Sequence, residues 1–151
     1  MNKQEILHRD QVLHDYFKGR NWDNNGEYGL KRQLVINRSE LLPNYPYVIE
    51  EEWEAIDNRT DLGRGDLVFT DGNGCFAIVE VKWIDLDGEG KIGTTRRTSN
   101  RKKRRKVEEQ SREYARIYRK KLDDDANIVL KSIDAFYFTN ESLQPIPALL
   151  L

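Results

Sequence analysis

Cysteine and histidine are almost absent from this chain. One cysteine, Cys75, and two histidines, His8 and His14, are all that its 151 residues contain. A lone thiol closes no disulfide within the chain and builds no zinc cage. His8 and His14 stand six residues apart in a helical pattern, too far round to share a face, so histidine chemistry is not suggested. No apolar run approaches the roughly 20 residues of a membrane-spanning helix. The opening MNKQEILHRDQVLHDYF is polar and of mixed charge, unlike a secretory signal. These absences predict an intracellular, reducing setting with no membrane partner.

Charge is what the chain has in plenty. Charged residues make up 34% of it, which leaves a modest core for three Trp, five Phe and seven Tyr to fill. The net charge of -1 conceals a division: Lys91 to Lys121 holds 14 basic and 3 acidic residues, a surplus of +11, against -12 elsewhere. Such polarity suits one face to a polyanion.

The length fits one domain, 1–151, with a single core. Residues 3–18 read as an amphipathic helix carrying Ile6, Leu13 and Phe17 on one side. Asn21–Gly26 reads as a loop, and 26–42 as a second helix with Leu30, Leu34 and Leu41 in its stripe, ended by Pro43 and Pro46. Strands are expected at Tyr47–Ile56, Gly65–Thr70 and Cys75–Ile84. A loop over Asp85–Gly93 leads to a helix from Arg101 to Leu122, capped by Ser99 or Asn100. A last strand over Asn127–Thr139 precedes an irregular tail around Pro145-Ile146-Pro147. This order predicts an α/β or α+β fold, a mixed central sheet of about four strands flanked by helices.

The third strand carries the chemistry. One face is Cys75, Ala77, Val79, Val81 and Trp83; the other is Phe76, Ile78, Glu80, Lys82 and Ile84. A strand apolar on both faces is central, and a charge buried there needs a partner. Glu80 and Lys82 pair with each other, or something else compensates them. With Gly72-Asn73-Gly74 as a three-residue loop, Asp71 faces Cys75 and Asp66 faces Glu80 on one side of the sheet. A two-residue loop flips Asp66 to the other face. Two facing carboxylates call for a cation, and all-oxygen ligands suit Mg²⁺ or Mn²⁺.

Gly65-Asp66-Leu67-Val68 followed by Glu80-Val81-Lys82 resembles the signature of the PD-(D/E)xK nuclease superfamily, with Gly65 where that signature has proline. Gln110-Ser111-Arg112-Glu113-Tyr114 resembles the Q-x-x-x-Y motif of its RecB-like and Holliday-junction-resolvase-like branches. The likeness covers about residues 26–140 and implies a restriction-endonuclease-like core. It implies that Asp66, Glu80 and the Val81 carbonyl hold Mg²⁺ or Mn²⁺, and that Lys82 helps activate water and stabilises charge at phosphorus. An upstream Glu completes many such sites; Glu27, about 60° from Leu30 on its helix, is favoured, then Glu40, then Glu51. The resemblance puts Gln110 and Tyr114 beside the metal, on the nucleic-acid backbone.

Arg96, Arg97 and the run Arg101-Lys102-Lys103-Arg104-Arg105-Lys106 supply eight cations for phosphates beside that site. At a helix start they oppose the macrodipole, so the first turn is expected to fray without a polyanion. The run also resembles a nuclear localisation signal, which implies a nuclear protein if the source is eukaryotic. The reading is a metal-dependent nuclease hydrolysing phosphodiester bonds in DNA. It is expected to be structure-selective, to have low sequence specificity for want of a target-recognition insertion, and to suit a homodimer. The alternatives are a nucleic-acid-binding module that keeps the fold without cleavage, and a charge-rich interaction domain.

Overall fold

A computed structural model describes residues 1–19, 26–56, 59–86 and 95–148, with the backbone alone at 56, 59–62, 95 and 96. The chain runs α1 (Lys3–Lys18), α2 (Gly26–Ile36), α3 (Arg38–Leu41), β1 (Tyr47–Ile56), β2 (Arg59–Thr70), β3 (Cys75–Lys82), α4 (Thr95–Asp123), β4 (Ser132–Thr139) and β5 (Ile146–Ala148). It is an α+β fold whose five strands lie in the order β1-β2-β3-β4-β5. The sheet is mixed: β3 and β4 are parallel, and the other neighbours are antiparallel. The parallel pair needs a long crossover, which α4 supplies.

The central strand is buried from Phe76 to Val81. Ala77, Val79 and Val81 pack with Phe17, Leu30, Leu34 and Val35 from α1 and α2. Phe76 and Ile78 pack on the opposite side with Ala115, Tyr118 and Leu122 from α4. The strand is thus sandwiched between helices, which is why its sequence is apolar on both faces. Among the described residues, no helix is long and apolar enough to cross a membrane.

The β2–β3 hairpin has the expected register. Asp71 donates its N–H to the Cys75 carbonyl at 3.1 Å, and Leu67 faces Val79. Gly72 and Gly74 take φ of 81° and 98°, which other residues resist. The Asp71 carboxylate accepts from the Asn73 and Cys75 N–H groups at 2.7 and 3.0 Å, closing the turn.

Several boundaries differ from expectation. The second helix does not run to residue 42; it stops at Ile36, and Asn37 (φ -106°, ψ 26°) separates it from α3. Arg38 stabilises the break by donating to the Val35 and Pro46 carbonyls and to Asp10 at 2.6, 2.7 and 2.9 Å. The long helix begins at Thr95, so Ser99 and Asn100 are helical rather than caps, and its first turn holds Arg96 and Arg97, with the run Arg101–Lys106 beyond it. Asn100 is buried and donates to the Asp85 carbonyl instead. β2 begins earlier than Gly65, β3 ends at Lys82, and β4 starts at Ser132. The tail supplies a fifth strand, with Pro147 opposite Phe136 on the sheet edge, where a missing N–H costs little. The loops expected at 21–26 and 85–93 fall largely outside the described residues.

Candidate functional site

Past Leu67 and Val79, side chains take over from the β2–β3 ladder. The Asp66 N–H donates to Glu80 Oε2 at 2.7 Å, and the Val81 N–H donates to Asp66 Oδ2 at 2.8 Å. Each carboxylate therefore satisfies a backbone donor of the opposite strand, and the reciprocal bonds hold the two acids side by side. Glu80 is 3% exposed. Glu80 and Lys82 do not neutralise each other: the Lys82 ammonium stands 3.3 Å from Glu27, with both side chains partly open to solvent. Beyond Lys82, the Asn140 side-chain amide accepts from the Ile84 N–H at 2.7 Å and donates to the Ile84 carbonyl at 2.8 Å. That clasp fixes the chain as it leaves β3.

A residue that the sequence motifs do not include dominates the electrostatics. Lys31 of α2 is 3% exposed, and its ammonium lies 3.2 Å from Glu51, 3.5 Å from Asp66 Oδ1 and 3.7 Å from Glu52. The ammonium also sits 4.6 Å above the Tyr28 ring, whose hydroxyl donates to Glu52. Its signal was spacing: Lys31 stands three residues before Leu34 and four before Val35, inside the buried stripe. A lysine there requires carboxylates.

Neighbouring strand residues face opposite sides, yet Glu51 and Glu52 both meet Lys31. Glu52 has φ of 49°, a left-handed conformation that breaks the alternation. A non-glycine residue there costs about 1–3 kcal/mol, a strain concentrated at sites where geometry is imposed by the surroundings.

The charges interact strongly. Burial, then the Asp66 charge, push the Glu80 carboxyl well above its usual range, against the opposing Asp66 N–H and Lys31. Burial raises Asp66 too, opposed by Lys31 and the Val81 N–H and reinforced by Glu27. Burial also raises Glu51. For Lys31 burial works downward, but Asp66, Glu51 and Glu52 outweigh it and hold the ammonium above its ordinary range. Burial lifts the Tyr114 phenol, and the charges of Glu80, Glu113 and Asp66 add to it.

Of the upstream acids, Glu27 and Glu51 belong to this cluster. Glu40 is exposed on α3, and among the described residues it joins none of the cluster's ion pairs. Gly65 stands where the signature has proline because Trp53 crosses over it: a Cβ there would lie 2.2 Å from the indole. Trp53 in turn meets Tyr114 and Tyr118 edge-on, at 5.5 and 5.0 Å between centroids.

A hollow of about 310 Å³ adjoins Lys82 and is lined by Ser99, Lys102, Lys103, Lys106, Val107 and Gln110. Gln110, half-buried, thus shares this hollow with Lys82. The basic run is divided between two sides of α4. Arg101, Arg104 and Arg105 line a separate hollow, where Arg104 donates twice to Glu141 at 2.8 and 2.9 Å. The eight cations therefore do not all stand beside the acids. Arg97 is half-buried early in α4, and the Arg96 side chain falls outside the described residues.

The donor set fits a hard divalent cation. Asp66 and Glu80 offer carboxylate oxygens only, and their mutual repulsion is what a cation relieves. Among the described residues, no three Asp, Glu, His or Cys side chains form a ready-made ligand group, so carbonyl and water oxygens would have to complete the shell of an ion held there. Comparisons with protein-family models, curated proteins and solved structures find no match to this chain.

Proposed function

We propose that this chain is a divalent-metal-dependent nuclease acting on DNA, of the PD-(D/E)xK kind that its motifs resemble. One observation carries the reading: the Asp66 N–H donates to Glu80 and the Val81 N–H donates to Asp66, two cross-strand bonds that hold the carboxylates together, with Lys82 two residues on from Glu80. Asp66 and Glu80 would hold Mg²⁺ or Mn²⁺, with the Val81 carbonyl as a further ligand. When bound, the ion would supply a lowered pKa for the attacking water and a counter-charge for the phosphoryl oxygens. Lys82, steadied by Glu27, orients the attacking water and offsets charge on the non-bridging oxygens. Water oxygen bonds to phosphorus as the P–O3′ bond breaks; the attacking water gives up a proton to solvent and the departing O3′ takes one from solvent, leaving 5′-phosphate and 3′-hydroxyl ends. Lys102, Lys103, Lys106 and Gln110 hold backbone phosphates beside Lys82, an interaction indifferent to base sequence.

A second reading, a nucleic-acid-binding module without cleavage, has one observation in its favour: Lys31 already brings positive charge to within 3.5 Å of Asp66. The experiment that separates the two is cleavage of linear, branched and single-stranded DNA with Mg²⁺ or Mn²⁺ and with EDTA. The expected result is metal-dependent cleavage, lost in Asp66→Ala/Glu80→Ala and in Lys82→Ala, with the Lys82→Ala chain still binding DNA. DNA binding without cleavage under every condition overturns the nuclease reading.

A further inference from the structure

Asp66 faces two ways. Its Oδ2 is turned to Val81 and the Glu80 side, and its Oδ1 lies 3.5 Å from the Lys31 ammonium. A carboxylate shared in this manner is how a site with two cations is bridged, the cations about 3.5–4 Å apart in two-metal enzymes. On the Lys31 side every feature is built for one positive charge: Glu51 at 3.2 Å, Glu52 at 3.7 Å and the Tyr28 ring face at 4.6 Å. Glu52 reaches that position only through its left-handed backbone.

The charge balance agrees. Glu27, Glu51, Glu52, Asp66 and Glu80 face Lys31, Lys82 and Arg64, the last 3.7 Å from Glu52. With all five ionised, as a bound cation favours, five carboxylates against three cationic side chains among the described residues leave two negative charges, the complement of one divalent ion. A second divalent ion would have to displace a tethered ammonium from a buried seat.

We infer that Lys31 is a built-in cation occupying one of two cation positions of the acidic cluster, so that the site takes a single divalent ion, on Asp66 and Glu80. The inference rests on the metal-dependent reading above and adds the number of ions and the residue that sets it. Lys31 acts here as a positioning residue: it holds Asp66 through Oδ1 and closes the second position to metal.

The test is the count of Mn²⁺ bound per chain, read by loss of the free-ion electron paramagnetic resonance signal during titration. Wild type and Lys31→Arg are expected to bind one Mn²⁺, and Lys31→Met to bind two, with circular dichroism checking that each variant is folded. Two Mn²⁺ in the wild type, or one in a folded Lys31→Met, overturns the inference. If Lys31→Met does not fold, the wild-type and Lys31→Arg counts decide, since two ions in either is the overturning result. No Mn²⁺ in the wild type sinks the metal-dependent reading itself, a failure distinct from a count of two.

Discussion

Replacing Glu80 by glutamine keeps the acceptor for the Asp66 N–H and removes a charge that burial disfavours. Among the described residues no cationic side chain pairs directly with Glu80; Lys31 is spent on Asp66, Glu51 and Glu52. Its carboxyl is raised well above its ordinary value in the folded chain. The folded state therefore keeps a proton that the unfolded chain releases. Stability from this group is fully present below the unfolded value, about pH 4, and is lost as pH rises through the folded one. Each unit of difference is worth about 1.4 kcal/mol. For a chain of this length 1 kcal/mol moves the melting temperature by about 2–4 °C, so each unit moves it by roughly 3–6 °C. Thermal melts in EDTA between about pH 5 and pH 9 should show Glu80→Gln melting above wild type, by a margin that widens with pH. Added Mg²⁺ should raise the wild type, because a bound ion favours the ionised carboxylate, and should leave the variant almost unmoved. A variant that melts below wild type at the alkaline end, or a margin indifferent to pH, refutes this account.

Two further outcomes follow from packing and from the division of the basic helix. Gly65→Ala drives a methyl into the Trp53 indole, so urea unfolding should report a destabilisation of about 1–3 kcal/mol, and an unchanged midpoint would mean that the indole moves freely. Neutralising Lys102, Lys103 and Lys106 together should flatten the salt dependence of DNA affinity, read by fluorescence anisotropy, by a slope of about 0.9 for each phosphate left without its cation. The same change at Arg101, Arg104 and Arg105 should do less, because Arg104 is held by Glu141, and equal effects would count against the hollow beside Lys82 as the phosphate track.

The meeting of Asp66 and Glu80 was legible because a hairpin register is local: two glycines and an aspartate set the loop, and the alternation of strand residues did the rest. Lys31 was legible in principle but missed, since the leucines define the helix stripe and the lysine lies among them without belonging to any motif. Glu52 was not legible. Its left-handed backbone carries no glycine or asparagine signal and is imposed by Lys31, Tyr28 and Arg64 around it. The fifth strand was hidden by Pro147 within it and Pro145 just before it, since proline marks a sheet edge as readily as an irregular tail. The division of the basic run follows from the helical period over residues 101–106, which the expected and the observed helix share, whereas the start of α4 lies six residues before the expected Arg101 because Ser99 and Asn100 are helical residues and not caps.

The Asn140 clasp on Ile84 sets an order of assembly. The β2–β3 hairpin is closed by a loop of three residues, so Asp66 and Glu80 can meet while the rest of the chain is still unstructured. The segment that carries Lys82 out of the sheet is anchored by a residue 56 positions further along, after the whole crossover helix and the parallel strand. Pairings of that span form late, because loop closure must precede them. During synthesis the acidic pair is therefore ready before the lysine beside it is held, and the site stays incomplete until Asn140 has emerged.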